Sequence, residues 1–353
     1  MRCPQCSHEQ KYQEGMKCGQ CGYRFVFDPK TDKLRDNIIS QMIQQLSDNG
    51  HYYFTQTQLA MEICRYWRKQ KVGLITFAFI VFIIWAIISA ILDLNIFIAV
   101  AILCPVLFFT IKAGIKYQTR IPFNEAQAGI QRYHKIYPIK QLVNGKAFVK
   151  TPGNPIQSKL KISSLDFSLD NKAITLEEEL FLAPERILIV ERDDMVDMLI
   201  RNRFHLETKT LVVSQSGYPT AAFEACPGFI NNNPNMPVQV LHDASVKSFG
   251  LIQKIRGGVK WQFARNNLVD LGFSRQNLAQ KSELRPWLPG ANSDKVIFSK
   301  DFHKMLRDGR HFPIDSLSPK PLFSLLTAAV VGGMLTLAVT ETMIGISQET
   351  SYG

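Results

Sequence analysis

RILIVERDDMVDMLI, residues 186–200, decides the fold. Ile187 to Val190 is a short, wholly apolar run, which reads as a buried strand, and it ends in an acid, Glu191. The period then changes. Met195, Met198 and Leu199 recur at helical spacing, so a helix follows with those side chains inward.

The same unit recurs along the chain. KTLVVSQSGYPTAAF, residues 209–223, reads as a strand over Leu211 to Val213, a tight turn at Gly217-Tyr218-Pro219 and a helix. MPVQVLHDASVKSFGLIQKI, residues 236–255, reads as a third strand running into His242 and Asp243, then another helix. Strands alternating with helices at this spacing predict a parallel α/β sheet. In such sheets functional groups gather at the carboxyl ends of the strands, where Glu191 and Asp243 both fall.

ILIVER, SGYP, HDASVKSFG and LVDLGFSRQNL occur in that order over about residues 186–278. This order resembles the toprim domain of the type found in the A subunit of topoisomerase VI. The resemblance implies that Glu191 and Asp243 hold Mg²⁺ at a DNA phosphate, with hard oxygen ligands from separate strands. The pattern departs from the family where Asp-x-Asp is expected: the second position is Ser245. Asp193 or Asp194 would compensate, or would sit on the following helix facing water. The family's strand-cleaving tyrosine lies in a separate winged-helix domain. TQTQLAMEICRYW, residues 55–67, is like that region but has Ala60 and Met61 where a tyrosine pair is expected. Tyr52, Tyr53 and Tyr66 lie nearby, and packing is the alternative role for each.

At the start of the chain, CPQC (Cys3, Cys6) and CGQC (Cys18, Cys21) form two C-x-x-C pairs, with Gly22 after the second. Two such knuckles face to face make a tetrahedral four-thiolate site suited to structural zinc. Two disulfides or a redox pair are the alternatives, and disulfides require an oxidising compartment. His8 is a substitute ligand candidate. A ribbon this small would draw most of its folding energy from the metal.

Residues 31–69 predict two helices. Leu34, Ile38, Ile39, Met42 and Leu46 mark the first; Asn49-Gly50 ends it. Thr55 or Thr57 caps the second, which carries Leu59, Ile63 and Trp67. This is either a helix-turn-helix-like nucleic-acid reader or a packing module.

Residues 72–92 carry no charge, and residues 96–111 almost match them across a DLN turn. These lengths predict a transmembrane helical hairpin. Its flanking lysines and arginines predict an inner-membrane, multi-pass protein with cytoplasmic soluble domains. Residues 322–340 are also apolar, and read either as a third span or as the last helix of a toprim-type fold.

The expected architecture is therefore a multidomain membrane protein with a zinc ribbon (1–28), a helical module (31–69), a membrane hairpin (72–111), a basic linker with short strands (112–185), a toprim-like parallel-sheet α/β domain (186–320) and an apolar helix (321–345). From Lys112 to Lys161 ten basic residues face one acid, Glu125. With a net charge of +11 this points to a polyanionic partner, lipid headgroups or DNA. At 46% hydrophobic and 20% charged, the composition excludes a disordered chain. Three functions follow: a membrane-anchored nucleic-acid-binding protein with a degenerate metal site, a protein-binding scaffold, or a Mg²⁺-dependent nuclease or nicking enzyme acting on foreign DNA.

Overall fold

The computed structural model describes residues 1–67, 83, 123–145, 147, 167–168, 173–174, 184–243, 245–272, 288–289, 310–311 and 313–332. Its contacts divide the chain into two compact units, residues 1–43 with 59–138 and residues 44–58 with 139–353.

In the first unit two cysteine loops lead into α1, Asp36–Leu46. A second helix, α2, covers residues 56–67, and α3 is Phe123–Ile136. Asp36 begins α1 at 2% exposure. Its carboxylate accepts hydrogen bonds from the Val26 and Phe27 amides (2.8 and 3.0 Å) and the Tyr23 hydroxyl (3.0 Å). Those charge-assisted bonds fasten the loop after the second C-x-x-C pair to the helix. On α3, Ala126, Ile130 and Tyr133 share one face and are buried. Tyr137, just past α3, stacks on Tyr23 at 4.6 Å. Its hydroxyl accepts from the Arg24 amide and donates to the Arg24 carbonyl. Part of the basic stretch 112–185 is thus a helix that packs on the cysteine loops.

The second unit is α/β. β1 (Phe54–Thr55) pairs in parallel with β2 (Leu142–Val143). β3 (Arg186–Val190), β4 (Thr210–Ser214), β5 (Val238–Leu241) and β6 (Leu268–Asp270) form one four-stranded sheet. Its order is β4-β3-β5-β6, with every pair parallel. The intervening helices are α4 (Asp193–Arg201), α5 (Phe204–Thr208), α6 (Thr220–Asn232) and α7 (Leu251–Gly257); α8 (Pro319–Gly332) comes last. Ile187, Leu188 and Ile189 have no exposed surface, each contributing roughly 1.5–3 kcal/mol of burial. Adjacent side chains point to opposite faces, so full burial of all three means that the sheet is covered on both sides.

The parallel sheet matches the sequence expectation; the membrane architecture is corrected. Among the described residues no helix is long and apolar enough to cross a membrane. Neither the multi-pass fold class nor the inner-membrane location is therefore supported. The hairpin at 72–111 lies outside the described residues, apart from position 83. Of the third candidate span, the described part is α8, and it packs as a core helix. Leu322, Leu326, Ala329 and Val330 are buried in the same cluster as the sheet, and the Gln239 amide on β5 donates to the Val330 carbonyl at 2.8 Å.

Candidate functional site

The first candidate centre is the cysteine cluster. The sulfurs of Cys3, Cys6, Cys18 and Cys21 all lie within 4.8 Å of one another. Cys3 and Cys21 are 3.5 Å apart, Cys6 and Cys18 3.6 Å. A tetrahedron with metal–sulfur bonds of about 2.3 Å has edges of about 3.8 Å, so the spacing fits zinc. None of the four sulfurs is joined to another in a disulfide.

The two knuckles are built alike. Cys3 N–H donates to the His8 carbonyl (2.9 Å), as Cys18 N–H does to the Tyr23 carbonyl (2.7 Å). The turn residue is left-handed in both, Ser7 at φ 59° and Gly22 at φ 77°. Backbone N–H groups of Cys21 and Gln20 reach the Cys18 sulfur and pull its pKa down to about 6, while the other three thiols are raised. His8 is exposed and contributes through its backbone, its carbonyl accepting from Cys3 N–H and its amide reaching the Cys6 sulfur. Sequence reasoning missed Gln10. Its buried amide donates to the Gly15 and Lys17 carbonyls (both 3.0 Å) and accepts from Gly19 N–H (3.1 Å), so one side chain organises the loop between the knuckles.

The second candidate centre lies at the strand ends. The chain passes from β3 to β4 on one side and then to β5 on the other, so β3 and β5 flank the topological switch point. Val190 and Leu241 are register partners there, which brings Glu191 and Asp243 together. The Asp243 amide donates to Glu191 Oε2 at 3.1 Å. Asp243 Oδ1 accepts from Ile314 N–H at 2.8 Å.

Close enough to Asp243 to feel its charge is a cation that the sequence reading overlooked. Arg192 Nη2 is 2.5 Å from the carboxylate of Asp315, which has no exposed surface. Arg192 Nε is 3.5 Å from Asp194, and Nη1 donates to Thr57 Oγ1 at 3.0 Å. The Thr55 hydroxyl also donates to Asp315. Burial pushes the Asp243 pKa up to about 7; Arg192 opposes the shift, and Asp315 and Glu191 add to it. Burial likewise raises Asp194. Burial disfavours the Arg192 charge, but Asp315, Asp194 and Asp243 outweigh it and hold the guanidinium firmly protonated. The sequence pattern could not have disclosed this group, because Asp315 lies far along the chain.

The remaining candidates separate. Asp194 leans back to Arg192 instead of facing water, whereas Asp193 accepts from the Ser216 hydroxyl at 2.8 Å. Ser245 Oγ accepts from Ser248 N–H at 3.0 Å and caps the one-turn helix Val246–Phe249. His242 is buried with Nε2 3.2 Å from Asp270 and Nδ1 2.7 Å from the Asp243 carbonyl. Tyr53 and Tyr66 are buried, and Tyr52 stacks on Phe323 at 6.0 Å, so all three pack. Among the described residues the cysteines are the group of three or more ligand side chains that converges as a metal site would; the strand-end carboxylates do not.

Comparison of the chain with family models gives no match, and none is found among the curated proteins or the solved structures. Fold and sites therefore define a class only: a parallel-sheet α/β domain in a chain that also carries a four-cysteine cluster able to hold a metal such as zinc.

Proposed function

We propose that this chain is a nucleic-acid-binding protein with a structural zinc ribbon and a degenerate toprim-like domain. Cys3, Cys6, Cys18 and Cys21 would supply all four zinc ligands, leaving no open position for a substrate. The observation that carries the loss of catalysis is the Arg192–Asp315 ion pair at the strand ends. A guanidinium already supplies the positive charge that a divalent ion would bring. Ser245, where the family pattern has a second aspartate, is engaged as a helix cap. The net charge of +11 supports a polyanionic partner.

The alternative is a Mg²⁺-dependent nuclease, favoured by the approach of Glu191 to Asp243. Incubating the full chain with supercoiled plasmid and Mg²⁺ or Mn²⁺ separates the two. The expected result is salt-sensitive binding without strand cleavage. Robust metal-dependent nicking that disappears in Asp243→Asn would overturn the proposal and establish the nuclease.

A further inference from the structure

The crossover from β5 to β6 carries an uncompensated positive surface. Between Asp243 and Asp270 there is no acidic residue, but there are Lys247, Lys254, Arg256, Lys260 and Arg265. All five are exposed. Among the described residues none of them takes part in an ion pair.

Their outward direction is set by what is anchored beneath. α7 buries Leu251 and Ile255, four residues apart, which turns Lys254 and Arg256 away from the core. The 3₁₀ segment Val259–Ala264 buries Trp261 and Ala264. Trp261 meets Phe223 of α6 edge-on at 4.9 Å, and Phe263 closes the aromatic group at 5.6 Å from Trp261. The Lys260 ammonium lies 5.4 Å from the Trp261 ring and 5.6 Å from the Phe223 ring. The turn joining the two helices has no spare room: a Cβ on Gly258 would come within 3.0 Å of the Lys254 carbonyl. Cations held on a packed scaffold lose less freedom on binding than those of a loose tail.

The chemistry of the face selects its partner. Among the described side chains of the crossover, Trp261 is buried and Phe263 partly so, so neither ring lies open for a base to stack on, as single-strand binders require. Among the described side chains Val259 is the one large apolar group exposed on the segment, which is too little for the apolar half of a lipid-binding helix. We infer that the β5–β6 crossover, through its exposed Lys247, Lys254, Arg256, Lys260 and Arg265, is a sequence-independent binding site for the phosphate backbone of duplex DNA. The inference rests on the nucleic-acid reading above and assigns that reading a site.

The test is fluorescence anisotropy of a labelled 30-base-pair duplex with the full chain across a salt series. Five phosphate contacts would contribute about −4.5 to the slope of log affinity against log salt. The triple variant Lys254→Ala, Arg256→Ala, Lys260→Ala should flatten that slope by about 3 and weaken binding equally on unrelated sequences. These side chains are exposed, so an unchanged circular dichroism melt would show that the variant is folded. A variant that melts early is replaced by Lys→Gln and Arg→Gln changes at the same positions, read in the same way. A wild-type slope kept by the folded variant overturns this surface and leaves nucleic-acid binding to another part of the chain. No duplex binding by the native chain at low salt, or binding only to phosphatidylserine vesicles, overturns both.

Discussion

Arg192 is the residue on which the strand-end site turns. It neutralises Asp315, which has no exposed surface, and is itself 29% exposed. Removing one partner of a fully buried pair costs about 3–5 kcal/mol, because the other charge is left stranded. With this partial exposure, Arg192→Met should cost about 2–3 kcal/mol of the stability of the α/β unit, read as a lower urea midpoint. Asp243 gives a pH signature. Its folded pKa of about 7 lies above the unfolded value, so the folded state holds the extra proton. Its contribution is complete below about pH 4 and is lost as pH rises towards 7. His242, raised by Asp270 and the Asp243 carbonyl against the effect of burial, shifts stability in the same direction. Buried His205, lowered to about 4, shifts stability the opposite way below pH 6.5, so the signature is the comparison: between pH 5 and pH 8 the wild-type urea midpoint should fall relative to that of Asp243→Asn. A difference between the two proteins that does not change with pH would contradict the assignment.

Individual elements are held by local devices. α2 begins with a reciprocal pair: Thr55 Oγ1 accepts from Gln58 N–H at 3.2 Å, and Gln58 Oε1 accepts from Thr55 N–H at 2.9 Å. This is a capping box, and Gln58 extends it by donating to the Leu317 carbonyl. The one-turn helix after Asp243 depends on Ser245 in the same way. Ser245→Ala should cost about 1 kcal/mol, whereas Ser245→Asp, another good cap, should leave the melting temperature nearly unchanged. Equal losses in both variants would remove the capping account. The end of β6 is fixed by space: a Cβ on Gly272 would lie 2.1 Å from His242 Nε2. Gly272→Ala must displace the buried ring, so it should destabilise by several kcal/mol, and an alanine variant as stable as wild type would show that the ring moves freely.

At the scale of the whole molecule, the division into two compact units predicts separable stability. On the zinc reading, the native chain should carry one zinc per molecule by elemental analysis. Chelation or Cys18→Ser should melt the segment around residues 1–28 while amides in β3, β4 and β5 keep their hydrogen-exchange protection. Zinc content near zero in reducing buffer, or loss of protection throughout the sheet, would contradict this. The metal-free segment should also rebind zinc more tightly as pH rises, because thiols raised above the Cys18 value must lose protons first.

The cysteine spacing and the strand–helix periods were legible in the amino-acid sequence, because both are local patterns. A C-x-x-C pair makes its knuckle within a few residues, and an apolar run such as Ile187 to Val190 declares burial wherever it sits. Sequence also brought Glu191 and Asp243 forward, since each ends a strand. Two things were decided only by tertiary structure. Arg192, Asp194 and Asp315 meet because the segment before α8 returns to the strand ends, a long-range contact without a periodic trace. Apolar composition alone could not distinguish a core helix from a span; burial of Leu322, Leu326 and Val330 against the sheet settles α8 as core. Ser245 reads as a lost metal ligand, yet its hydroxyl accepts from a backbone amide three residues on, a local capping role that serine favours.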